Sequence, residues 1–83
     1  LLAAPARVAR RLLSLATAHG PLAEGHPREA LQLNQEQLGA MLALTRQTVN
    51  LVLKDFEARG LLRCQYGRIE VLDWAALGRE GEG

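Results

Sequence analysis

Arg46, Gln47, Asn50, Leu51 and Lys54 form the densest group of chemically able side chains in the sequence. Positions 46 and 50, 47 and 51, and 47 and 54 are neighbours on one side of an α-helix. The arginine fork can donate to O6 and N7 of a guanine, and Gln47 and Asn50 each set a donor beside an acceptor, as N6 and N7 of an adenine require. Thr45 and Thr48 are short hydroxyls at the start of the same segment, where the positive end of a helix dipole favours phosphate. Lys54, Gln35, Tyr66 and Arg68 complete a set suited to the nucleic-acid backbone. Leu51 is the apolar exception: it either packs against a neighbour, the reading favoured here, or touches a thymine methyl. Taken singly, each of these is an ordinary surface residue, Thr45 only a helix cap and Arg68 only a strand-end charge. On one exposed helix face they describe a surface that reads duplex DNA.

The elements that must hold this face can be read from spacing. Val49, Val52, Leu53 and Phe56 recur at helical intervals and turn inward, with Thr45 as N-cap and Gly60 in the place of a left-handed C-cap. Before it a short helix runs from about Gln35 to Leu42, with Leu38, Met41 and Leu42 on its inner face and Asn34 and Gln37 spaced as a capping box. Only Ala43 and Leu44 separate this helix from Thr45, so the pair must cross steeply, as in a helix-turn-helix. Leu62 and Cys64, then Ile69 and Val71, alternate with polar residues about Tyr66-Gly67, a β-hairpin.

Upstream, Pro5 opens an amphipathic helix ending near Ala18, with Val8, Leu12 and Leu15 inward and Arg7, Arg10, Arg11 and Ser14 outward. Gly20, Pro21, Gly25 and Pro27 mark the next segment as a loop, and Leu31 and Leu33 suggest at most a short strand. Asp73 caps a last turn through Trp74 and Leu77. The expected fold is mainly α with a small β-hairpin wing, a winged helix-turn-helix on a three-helix core. It comprises one domain over 1–77, with the helix-turn-helix at about 35–59, the wing at about 61–72 and a flexible tail at 78–83.

Composition narrows the remaining choices. With 83 residues, 48% of them hydrophobic and 4% aromatic, there is room for a single core built from Leu, Val and Ala, and few rings for stacking single-stranded bases. The net charge is +1, but Arg46, Lys54, Arg59, Arg63 and Arg68 against Asp55 and Glu57 leave +3 across 45–68. One cysteine, Cys64, makes no internal disulfide or thiolate metal site, and His19 and His26 read as loop residues. Paired carboxylates, a nucleophile beside a base and a glycine-rich phosphate loop are all absent at workable spacing, so an enzyme is not expected. No apolar run has the length of a membrane span, and a cytoplasmic location is expected. The chain starts at Leu1, and further residues are expected before it.

The run Leu33 to Leu72 resembles the DNA-binding domain of the Crp/Fnr family of bacterial transcription regulators. The resemblance is carried by Asn34-Gln35-Glu36-Gln37-Leu38-Gly39, Thr45-Arg46-Gln47-Thr48-Val49-Asn50, Leu53-Lys54-Asp55-Phe56-Glu57-Ala58-Arg59-Gly60-Leu61-Leu62 and Tyr66-Gly67-Arg68-Ile69-Glu70-Val71. It implies a homodimer on a palindromic operator, one recognition helix in each major-groove half-site. By the same resemblance Arg46 and Gln47 read bases, Thr45 and Thr48 hold phosphates, and Tyr66 to Arg68 form the wing tip. A cyclic nucleotide or other effector would sit on an N-terminal sensor domain, dimerisation on a long helix before this domain, and RNA polymerase is admitted as a further partner. No cofactor is implied on these 83 residues. Two positions depart from the pattern. Leu51 stands where many members have arginine, and Ala43 where such turns often have glycine, at a cost of about 1 kcal/mol if φ is positive. A winged helix that binds a protein through the second helix is the rival reading.

Overall fold

Among the described residues, side-chain caps set the starts of three helices. The computed structural model describes residues 3–18, 30–65 and 67–82, in the order α1 (Ala4–Ala18), β1 (Ala30–Leu31), α2 (Gln35–Leu42), α3 (Arg46–Ala58), β2 (Leu62–Gln65), β3 (Arg68–Val71) and α4 (Trp74–Gly81). The Asn34 side chain accepts from the Gln37 N–H and the Gln37 side chain accepts from the Asn34 N–H, both at 2.8 Å, a complete capping box on α2. Thr45 accepts from the Thr48 N–H at 3.1 Å and Asp73 from the Ala76 N–H at 2.9 Å. α3 ends with the Gly60 N–H on the Glu57 carbonyl at 3.0 Å and the Leu61 N–H on that of Phe56 at 2.9 Å. This Schellman closure needs the left-handed backbone of Gly60, φ 79°.

Between α2 and α3 the chain turns through Ala43, whose φ of 55° and ψ of 41° place it in the left-handed region. The Leu44 N–H then reaches back to the Gly39 carbonyl at 2.9 Å. Gly39 is needed for this approach, because a Cβ there would lie 2.9 Å from the Leu44 carbonyl oxygen. Ala43 is exposed, so its side chain adds no packing to offset the backbone cost. Ala43→Gly is expected to raise the unfolding free energy by about 0.5–1 kcal/mol, measured from the urea midpoint; no gain would mean that the turn relaxes around alanine.

One apolar core joins every element. Val8, Leu12, Leu38, Val49, Leu53, Phe56, Leu62, Ile69 and Leu77 are all fully buried. The wing strands pair antiparallel in the register Leu62↔Val71 to Gln65↔Arg68, and Gly67 turns between them at φ 67°. β1 adds to the far side of β3, giving the order β1-β3-β2, with Leu31 opposite Ile69. The marginal strand suggested by Leu31 and Leu33 is thus a paired edge strand at 30–31, with Leu33 buried just beyond it. The arrangement is the expected winged helix-turn-helix. His19 and His26 lie outside the described residues, as does Tyr66.

Three expectations are corrected. Met41 is 47% exposed rather than inward, because the eight-residue α2 turns Leu38, Gly39 and Leu42 inward and Met41 lies beyond the edge of that arc. Arg7 and Arg10 do not simply point into solvent: Arg7 donates to the Leu42 carbonyl, and Arg10 Nε to the Gly81 carbonyl at 2.7 Å. Each satisfies a carbonyl at a helix C-terminus, where a cation is favoured. The last helix does not stop near Leu77 with a frayed segment after it; α4 continues through Gly81 and packs on α1. Gly81 is buried there, and a Cβ on it would come within 3.1 Å of Arg10 Cγ. A glycine that reads as a helix breaker in the sequence therefore permits close helix packing.

Arg59 ties α3 to this last helix. Its guanidinium donates to Glu80 at 2.9 and 3.1 Å and to Asp55 at 2.7 Å. The hydrogen bonds from Arg59 hold the Glu80 carboxyl below the usual glutamate range, outweighing the opposing effect of desolvation. A lowered native pKa favours the ionised native form. The resulting stability is present above the ordinary glutamate pKa and is lost as pH falls through the lowered value. Glu80→Gln is expected to flatten that part of the acid limb in a plot of urea midpoint against pH. The effect should be small, since the Arg59 side chain is exposed and that of Glu80 is partly so.

Candidate nucleic-acid interface

α3 divides cleanly into two faces. Val49, Val52, Leu53 and Phe56 are buried, whereas Arg46, Gln47, Leu51 and Lys54 are exposed on the other side and Asn50 is half-buried at its margin. The residues chosen from helical spacing are thus brought together, with Asn50 less accessible than its neighbours. Leu51 is 72% exposed, so the expectation that it packs within the chain is corrected. The reason is direct: a little over a quarter-turn from both Val52 and Asn50, it projects from the face away from the core.

The cations of the basic stretch separate into two sets. Arg59 is bound to Asp55 and Glu80, and Arg63 Nε lies 3.2 Å from Glu70 across the wing strands. Among the described residues Arg46, Lys54 and Arg68 have no carboxylate partner. These three exposed cations are the ones able to neutralise an external anion. A charge count along the sequence could not sort the two sets, since the partners of Arg59 and Arg63 include Glu80 and Glu70, which lie outside the basic stretch.

Arg46 and Arg68 share an open cleft of about 710 Å³ between the start of α3, the start of α2 and the wing. Asn34, Gln35 and Gln65 add polar groups to its wall, placing Gln35 beside the wing although it lies on a different element. Glu36 also lines the cleft and would repel an anion seated deeply on its side. Asn34 reads in the sequence only as a cap; nothing in its spacing reveals that it also borders this cleft. Thr45 and Thr48 stand at the entrance to α3. Thr45 Oγ1 accepts from the Thr48 N–H and donates to Thr48 Oγ1 at 2.9 Å, leaving the Thr48 hydroxyl proton for an outside acceptor.

Cys64 borders the cleft too, but its thiol pKa is pushed up by burial and by the charge of Glu57, which keeps it protonated and weakly nucleophilic. Glu57 accepts from the Cys64 backbone N–H at 3.2 Å, joining α3 to the wing. Among the described residues no helix is long and apolar enough to cross a membrane. The interface is an exposed helix flanked by a polar cleft, with three cations that have no carboxylate partner among the described residues and several paired donors and acceptors. Such a surface can engage a phosphate backbone and the base edges of a groove together.

Residues 6–80 match the model of the Crp-like helix-turn-helix domain. Over 75 residues the chain is 36% identical to a CRP-like cAMP-activated global transcriptional regulator of Mycobacterium tuberculosis, covering 90% of this chain and 34% of that protein. The chain therefore spans about a third of the length of this relative. Among solved structures, a CRP/FNR-family transcriptional regulator from Thermus thermophilus superposes with a TM-score of 0.82 at 30% identity, over 99% of this chain and 42% of that one. The CO-dependent transcription factor CooA from Carboxydothermus hydrogenoformans gives 0.76 at 31% identity, over 94% of this chain and 36% of that one. With the match extending over nearly all of its length and the same helices and wing in place, this chain belongs to the Crp/Fnr family of transcription regulators, of which it carries the Crp-like helix-turn-helix domain.

Proposed function

We propose that the chain is the sequence-specific, double-stranded DNA-binding domain of a bacterial transcription regulator, with α3 entering the major groove of one half of a palindromic operator. The observation that carries this reading is the exposed face of α3, where Arg46, Gln47 and Lys54 stand free of the core and Arg46 and Lys54 have no carboxylate partner among the described residues. Arg46, Gln47 and Asn50 are the base-reading residues. Gln35, Thr45, Thr48, Lys54 and Arg68 hold the backbone, and Tyr66, next to Gly67 in the sequence, is assigned with them. The domain's role is binding, with no chemistry and no cofactor of its own, and it acts where the cell keeps its DNA, in the cytoplasm.

Homodimerisation is assigned to a segment outside these 83 residues, which sets two recognition helices about one turn of DNA apart. The named effectors of the relatives, cAMP for one and CO for another, differ although both share this domain. The effector of this protein is accordingly a property of another part of it, and contact with RNA polymerase would be made in the assembled regulator.

The test is selection from a random duplex pool with this domain joined to a dimerising helix, at two salt concentrations. A palindrome should be enriched, with affinity falling steeply as salt rises, because phosphate contacts release counterions. No enrichment by a folded domain would favour the protein-contact reading instead. Lys54→Ala is expected to weaken binding to all sequences alike and to lower the salt slope by about 1, read from affinities measured across a salt series.

A further inference from the structure

Leu51 is the most exposed of the large hydrophobic side chains among the described residues, at 72% against 47% for Met41 and 49% for Leu72. It sits on the face of α3 between Gln47, one turn before it, and Lys54, one turn after, with Asn50 beside it. Among the described residues no other element covers it. A protein-docking face would ordinarily spread apolar surface over several neighbouring side chains, and a single leucine fringed by an amide, a second amide and an ammonium group is not such a patch. An occupant for this position must be polar at its rim and apolar at one point. The major-groove edge of an A·T pair has that pattern: hydrogen-bonding groups and a single apolar group, the C5-methyl of thymine.

We infer that Leu51 is a specificity-determining residue that reads one thymine in each half-site through its C5-methyl group, beside the bases reached by Arg46 and Gln47. The inference rests on the DNA-binding reading. It assigns the half-site a fixed A·T pair whose recognition is apolar and therefore insensitive to salt, unlike the phosphate contacts around it.

The test uses this 83-residue chain and single half-site duplexes of the selected sequence, in which each thymine is replaced in turn by deoxyuridine. That change removes the methyl group and leaves the pairing edge intact. Followed by fluorescence anisotropy at low salt, loss of the methyl at one position should weaken binding about threefold to tenfold, the scale of burying one methyl group. Leu51→Ala should bind the thymine and uracil duplexes equally at that position. It should also keep its helix content, since alanine is the better helix former at an exposed site. Equal binding of every thymine and uracil pair by the unaltered chain, or a methyl preference that survives in Leu51→Ala, would overturn the inference while leaving DNA binding intact. Failure to enrich any duplex in the selection would remove the DNA-binding reading and this inference with it.

Discussion

Phe56→Ala is expected to remove about 3–5 kcal/mol of stability, the largest single effect on this fold. Phe56 is fully buried and heads the core by volume. It lies on α3, which packs on α1, α2 and β2, so a cavity there loosens contacts to several elements at once. The guanidinium carbon of Arg59 lies 5.4 Å from the centre of its ring, and this contact would go as well. For a chain of 83 residues the total stability is on the order of 4–12 kcal/mol, so the loss would remove nearly all of it at the lower end of that range and about a third of it at the upper. Urea unfolding followed by far-ultraviolet circular dichroism measures the loss. A shift equivalent to under about 1 kcal/mol would show that the core closes around the missing ring and that Phe56 is not its centre.

Arg46→Ala should do the reverse, sparing the fold and impairing binding. The side chain is exposed, has no carboxylate partner among the described residues and lies in the first turn of α3. Its removal is expected to lower affinity for the selected duplex by about 1–3 kcal/mol, roughly fivefold to 150-fold, and to relax the base preference at one position. The unfolding midpoint should move by no more than about 0.5 kcal/mol, as is usual for an exposed residue. Titration of both proteins against the selected duplex and a scrambled one separates lost specificity from lost charge. Equal weakening on both duplexes would make Arg46 a phosphate contact, and unfolding of the variant would contradict the division of α3 into an inner and an outer face.

The two experiments probe opposite sides of one helix, and both sides are legible in the sequence. The period of Val49, Val52, Leu53 and Phe56 defines the inner face, and the outer one follows from it. The caps at Asn34, Thr45 and Asp73 and the glycine turns at Gly60 and Gly67 are legible as well. These features depend on interactions between residues three to six apart, and such interactions are written into the order of the chain. The placing of α2 directly before α3 is legible in the same way, because only Ala43, Leu44 and Thr45 separate the two helices.

What only the tertiary structure decided involves partners far apart in the sequence. Arg10 meets Gly81 and Arg7 meets Leu42, so two arginines expected in solvent serve as caps for distant helices. α4 persists through Gly81 because α1 lies against it, a contact no local rule can foresee. Met41 turns outward because it lies beyond the edge of the arc that α2 turns inward. Arg46, Lys54 and Arg68 stand out as the cations of the basic stretch without a carboxylate partner among the described residues only once Glu70 and Glu80 have been brought to Arg63 and Arg59. Leu51 is the sharpest instance: sequence spacing puts it on the outer face, but whether another element covers it depends on how the whole chain packs, and among the described residues none does. Local periodicity determines which way a side chain points; burial and pairing depend on what the rest of the chain places opposite it.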